Sequence, residues 1–248
     1  MQGLGLPESA VCLAAITFAF AVRGATGFGA STVAIPLMAF VLPISLTVPL
    51  ISCLIVVSAA PQALRDHERI AWREILKTLP FSLVGVVLGL LVFSHSGDEF
   101  PLRSLGAVIA VYGLIGLAGK GRVFQVAPRW RTGAAALAGL SGGALGAVYG
   151  AGSAPIYGIY LNSINLEQSV FRATVSAIML VPIGARVLGY GGLGYYSAEV
   201  FAALAVSLPF MFVGSRLGDR WLRGLDKAQF GKLVSAVLLL SGLGLMLK

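Results

Sequence analysis

Apolar positions in this chain gather into ten runs, five in each half, separated by short polar connections. Their bounds are 7–22, 26–42, 45–64, 78–94 and 102–118 in the first half, then 133–148, 152–161, 169–188, 198–214 and 230–247 in the second. Most approach the ~20 apolar residues with which a helix crosses the hydrocarbon core of a bilayer. The pattern predicts an all-α polytopic membrane protein. In each half the first two runs meet at a cluster of small residues, Gly27-Phe28-Gly29-Ala30-Ser31 and Gly150-Ala151-Gly152-Ser153-Ala154. These Gly-rich breaks lie about 120 residues apart and imply two repeats, 7–118 and 133–247, within a single transmembrane domain over 1–248. Small residues that interrupt apolar segments at matching places in two halves mark the substrate site of repeat-built transporters.

Composition agrees with the pattern. The chain is 57% hydrophobic and 11% charged with a mean hydropathy of +0.90, whereas charged residues alone supply ~25% of a soluble domain. Nearly all of its 248 residues fall in membrane-length segments, which leaves no stretch for a separate soluble domain. Glu8 is the only charge before the first run, with no small-residue cleavage site after it, so that run reads as a retained helix rather than a signal peptide. Cys12 and Cys53 lie within apolar segments, where a thiol acts as a small hydrophobe, and neither a disulfide framework nor a metal site is expected.

The net charge of +8 changes the picture only through its placement. Basic residues form three groups: Arg65, Arg69, Arg73 and Lys77; Lys120, Arg122, Arg129 and Arg131; Arg216, Arg220, Arg223, Lys227 and Lys232. Each holds one of the three tryptophans, Trp72, Trp130 and Trp221, as a cytoplasmic membrane boundary would, so nucleic acid is not an expected partner. With all three groups inside, the loop after the third segment is basic and cytoplasmic in the first half, but its counterpart at 190–197 is uncharged and outside. The next loop reverses too, since 96–101 carries Asp98 and Glu99 while its counterpart carries the third basic group. The repeats are therefore inverted, with both termini outside the cytoplasm. The segments flanking each break are short, leaving two readings: ten crossings, or six plus two re-entrant hairpins.

A broken helix frees backbone N–H groups, and the N-terminus of the following half-helix adds partial positive charge; together these can replace the hydration shell of an anion. Ser31 and Ser153 add hydroxyl donors, Thr26 and Tyr149 stand directly before the breaks, and Pro36 and Pro155 limit helix regularity after them. By contrast, Gly85 with Gly89 and Gly139 with Gly143 read as close helix packing. Arg23, just before the first break, is the leading cation for an anion pathway, with Arg172 and Arg186 behind it. No Asp or Glu falls in the middle of a span. His67 and His95 lie on opposite faces in this topology, so neither a serine nor an aspartyl intramembrane protease can be assembled, and no enzyme is expected.

The doubled pattern of a Gly-rich break followed by proline, Gly27 to Pro36 and Gly143 through Gly150-Ala151-Gly152-Ser153-Ala154-Pro155, resembles the TauE/SafE family of sulfite and organosulfonate exporters over essentially the whole chain. The resemblance implies a carrier of small sulfur-containing or carboxylated anions in the bacterial cytoplasmic membrane, acting by alternating access without a cofactor. Its glycine motif falls on Gly27, Gly29, Ala30 and Ser31, then on Gly150, Gly152, Ser153 and Pro155. Ala30-Ser31 and Ser153-Ala154 depart from the family's run of three glycines and would narrow the pocket. The substrate-binding candidates are thus Arg23, Thr26, Gly27, Gly29, Ala30, Ser31, Tyr149, Gly150, Gly152, Ser153, Pro155 and Arg172. An anion channel and a non-transporting assembly subunit are the rival readings, and a homo-oligomer is left open.

Overall fold

The computed structural model describes residues 6–27, 29–97, 99–118, 125–221 and 227–247. Phe28, Asp98, Lys120, Arg122 and Arg223 lie outside the described residues, as do the side chains of Thr26, Arg172, Trp221, Lys227 and Lys232. Ten α-helices follow one another: α1 (Leu6–Thr26), α2 (Ala30–Met38), α3 (Ile44–Arg65), α4 (Trp72–His95), α5 (Glu99–Ala118), α6 (Arg131–Tyr149), α7 (Ser153–Ser163), α8 (Gln168–Gly192), α9 (Ala198–Trp221) and α10 (Lys227–Met246). Each apolar run of the sequence has its helix. Helices are the expected solution, because a spanning segment must satisfy its backbone polar groups internally.

Among the described residues, six helices are long and apolar enough to cross a membrane: α1, α3, α4, α6, α8 and α9. The helices after the breaks are not. α2 has 9 residues and α7 has 11, lengths of about 13 and 16 Å against a hydrocarbon core of ~30 Å. This corrects the expectation that both segments flanking a break are short; only the second one is. Hydropathy ends the first run at Val22, yet α1 continues to Thr26, because Arg23 at its end is covered by other helices rather than by lipid.

Three close pairings build the bundle. Helix α4 runs parallel to α6, with Gly139 over Thr78 and Ser82, Gly143 over Ser82 and Val86, and Gly89 over Ala144 and Ala147. In the same manner α1 runs parallel to α9, where Gly214 meets Thr17, Gly218 meets Ala21, and Gly24 meets Ser215 and Asp219. Helix α5 lies antiparallel to α10, Gly106 against Gly242 and Gly113 against Leu239. Backbones approach this closely only where side chains are absent. The central pair is α3 and α8, buried over 56% and 59% of their spans, against 33% for α4 and 28% for α9.

A methyl group at Gly143 would fall on the Ser82 carbonyl, a backbone atom that cannot swing aside, whereas one at Gly133 meets nothing within 4 Å. Gly143→Ala should therefore lower the stability of the detergent-purified protein by ~1–3 kcal/mol, and Gly133→Ala should not. Equal unfolding midpoints for the two variants would refute this packing.

Candidate functional site

The two breaks share one backbone device. Gly27 and Gly29 have φ of 87° and 91°, and Gly150 and Gly152 have φ of 64° and 88°, the left-handed region that glycine enters without a Cβ clash. At the first break the Gly27 N–H closes the last turn of α1 on the Arg23 carbonyl at 2.6 Å. Gly29 then starts α2, and Gly152 starts α7, neither with a side-chain cap. Four N–H groups at a helix start have no helical acceptor, so both short helices begin with uncapped donors.

Beside the first break lies a cavity of about 500 Å³. Its inner wall is Arg23, Gly24 and Gly27, its sides Ser58 of α3 and Ser215 of α9, and its mouth Arg65, Asp66, Arg69, Arg216 and Asp219. Four arginines against two aspartates make it cationic. Arg23 is only 5% exposed; its Nε donates to the Ser58 hydroxyl at 3.0 Å, while Nη2 has no hydrogen-bond partner among the described residues. The Ser215 hydroxyl, also lining the cavity, is likewise buried without a partner. On the far side of the break, Ser176 of α8 donates to the Gly27 carbonyl at 3.2 Å.

The second break is held differently. Arg186 of α8, 2% exposed, donates from Nη1 to the Gly146 carbonyl and from Nη2 to the Gly150 carbonyl at 3.4 Å. The Tyr190 hydroxyl donates to the Ala147 carbonyl. Carbonyls at a helix C-terminus lack internal partners and carry partial negative charge, which a cation satisfies. Beyond them Phe93, Tyr190 and Tyr195 stack with centroids 5.2–6.2 Å apart, and Phe93 and Tyr195 line a shallow cavity of about 210 Å³ at that end of the bundle. Thus the larger cavity reaches the first break from one end, and the aromatic rings stand over the second at the other.

The described members of the basic groups share the open end. Arg65, Arg69 and Arg216 meet around the large cavity. Glu74, the carboxylate at the start of α4, binds Lys77 at 2.7 Å and accepts the Tyr160 hydroxyl.

Not all expected residues meet one space. Arg23 and Gly27 line the large cavity; Gly29, Ala30 and Ser31 begin α2 behind it, with Ser31 and Ala30 buried. Ser153 lines a small enclosed space together with Arg186. Gly150 ends α6, Tyr149 is its buried last residue, and the Gly152 carbonyl accepts the Tyr112 hydroxyl at 3.3 Å. Pro155 falls in the first turn of α7, where its missing N–H costs nothing; it supports the helix start rather than disturbing it. Thr26 ends α1 and Arg172 lies near the start of α8. Ser58, Ser176 and Ser215 were not visible as candidates, since a lone serine within an apolar run or at its end carries no signal of its own.

A family model described as sulfite exporter TauE/SafE matches residues 12–245. The chain belongs to the TauE/SafE family. Its members are membrane transporters rather than enzymes, and this TauE/SafE protein is a multi-pass membrane protein. The chain is 29% identical over 181 residues, 73% of its own length and 74% of the other's, to the Comamonas testosteroni protein named probable inner membrane transporter protein TsaS. No solved structure matches this TauE/SafE chain.

Proposed function

We propose that the protein carries small sulfur oxyanions, sulfite or organosulfonates, by alternating access around the two breaks, with the basic end in the cytoplasm. The observation that carries this reading is the pair of buried groups without partners among the described residues, Arg23 Nη2 and Ser215 Oγ, in the wall of the cavity beside the first break. A sulfo group offers several acceptor oxygens and negative charge, the complement of a guanidinium edge and a hydroxyl. The surrounding arginines raise the local anion concentration. The family's description as sulfite exporters and the relative's name as an inner membrane transporter point to the same cargo class and membrane.

Inverted repeats fit the pairings. Exchanging the halves turns the parallel pair α4 with α6 into α9 with α1, also parallel, and leaves α5 with α10 and α3 with α8 paired as before. Both breaks carry the same glycine geometry. The directions of the helices match a chain whose termini lie outside. The Phe93, Tyr190 and Tyr195 rings stacked beyond the second break favour a carrier over an open channel.

Sulfite efflux from loaded proteoliposomes tests the reading. We expect efflux well above protein-free vesicles, saturating with concentration and stimulated by sulfite on the opposite side. Efflux rising without saturation would favour a channel, and no movement of sulfite or of any sulfonate would overturn the assignment.

A further inference from the structure

At the second break, Arg186 is a buried cation with no counter-ion among the described residues. The ionisable groups around it are Tyr157, Tyr190, Tyr196 and Cys53, none a carboxylate, and neither ion pair among the described residues includes it. Its two carbonyl partners offset part of its desolvation, but Nε has no hydrogen-bond partner among the described residues. A buried charge without a counter-ion is strongly unfavourable.

The space beside it has the shape of a cradle. Gly146 lacks a side chain there; a methyl group would meet Arg186 Nη1 at 3.0 Å and Ser153 Cβ and Oγ at 3.4 and 3.5 Å. Ser153 is the first residue of α7, behind the uncapped left-handed Gly152. Positive charge therefore converges from the guanidinium and from the helix start. In this conformation the enclosed volume is about 10 Å³, room for one water.

The first break is tied to the second by α8, which touches Gly27 through Ser176 and α6 through Arg186. Those contacts are about 15 Å apart along the helix. Helix α3 spans the same interval, from Val48 beside Gly150 to Ser58 beside Arg23.

We infer that Arg186, Ser153 and the start of α7 form a second anion station, which takes the sulfo group after Arg23 releases it. Arg186 exchanges the Gly146 and Gly150 carbonyls for the oxygens of the anion when the far end opens. The station is shut in the present conformation because α6 supplies the acceptors. This inference rests on the transport reading above and assigns the far half of its pathway.

The test uses the full-length protein, wild type and the variants Gly146→Ala and Arg186→Lys, with sulfite as probe. Efflux is measured in proteoliposomes and sulfite protection against thermal unfolding in detergent. Gly146→Ala fills the cradle against side-chain atoms only and suits a helix, so it should fold like wild type and keep sulfite protection from the Arg23 cavity. Its efflux should fall roughly 10- to 100-fold, the worth of about one charge-assisted hydrogen bond. Arg186→Lys keeps the charge but loses the fork, with a similar loss. A merely structural role would lower the unfolding midpoint and the sulfite protection together. Wild-type efflux with both variants within twofold of it would overturn the second station alone; absence of wild-type efflux would overturn the station together with the transport reading.

Discussion

Glutamine in place of Arg23 is expected to cut sulfite efflux by roughly 10- to 150-fold, the loss of a charge-assisted hydrogen bond, without lowering the unfolding midpoint. The guanidinium is buried, holds Ser58 through Nε alone and leaves Nη2 unpaired. A glutamine amide can still donate to a nearby hydroxyl, and Arg23 belongs to neither ion pair among the described residues, so removing its charge relieves desolvation rather than adding to it. Stability should stay level or rise while flux falls. Lysine at the same position should give an intermediate rate, since it restores charge but not the planar fork. The measurement is efflux from proteoliposomes matched for protein content, with thermal unfolding in detergent alongside. Wild-type flux in the glutamine variant would remove Arg23 from the pathway.

Alanine at Gly150 should be more damaging than alanine at Gly29 or Gly152. Left-handed backbone costs a residue with a Cβ ~1–2 kcal/mol, and here the added carbon also meets Ile35 Cδ1 at 2.5 Å and Val48 Cγ1 at 2.9 Å. Both neighbours belong to a packed core, so overpacking adds ~1–3 kcal/mol. The same change at Gly29 or Gly152 carries the backbone strain alone, because a methyl there meets nothing within 4 Å or nothing nearer than 3.7 Å. Unfolding midpoints should therefore rank Gly150→Ala well below Gly152→Ala and Gly29→Ala. Asparagine, which tolerates left-handed backbone, should recover part of the loss at Gly29. A flat ranking would show that the contact between the second break and helices α2 and α3 does not bear on stability.

Much of the architecture was legible in the chain, for a physical reason. Lipid imposes long apolar helices, so run lengths gave all ten, and glycine enters left-handed backbone at least cost, so Gly27, Gly29, Gly150 and Gly152 announced both breaks. What escaped was whatever depends on a partner distant in sequence. Hydropathy stopped the first helix at Val22 because it scores Arg23 as exposed, whereas Ser58 covers it. Arg186 ranked behind Arg23 because nothing local shows that its guanidinium ends α6 at Gly146 and Gly150. Proline at 155 reads as an interruption until its place in the first turn is known. Ser31 is buried at the start of α2 and Ser153 lines the space beside Arg186, an assignment to separate places that no local pattern in the two breaks distinguishes.

The two contacts of α8 have a mechanical consequence. Ser176 and Arg186 fasten one helix to both breaks, and a straight rod fastened in this way would move them together. Pro182 stands between the two fastenings and removes one backbone bond from that interval. Helix α8 therefore resists bending least between its two fastenings, which puts its weakest point between the contact on Gly27 and the contact on Gly146 and Gly150.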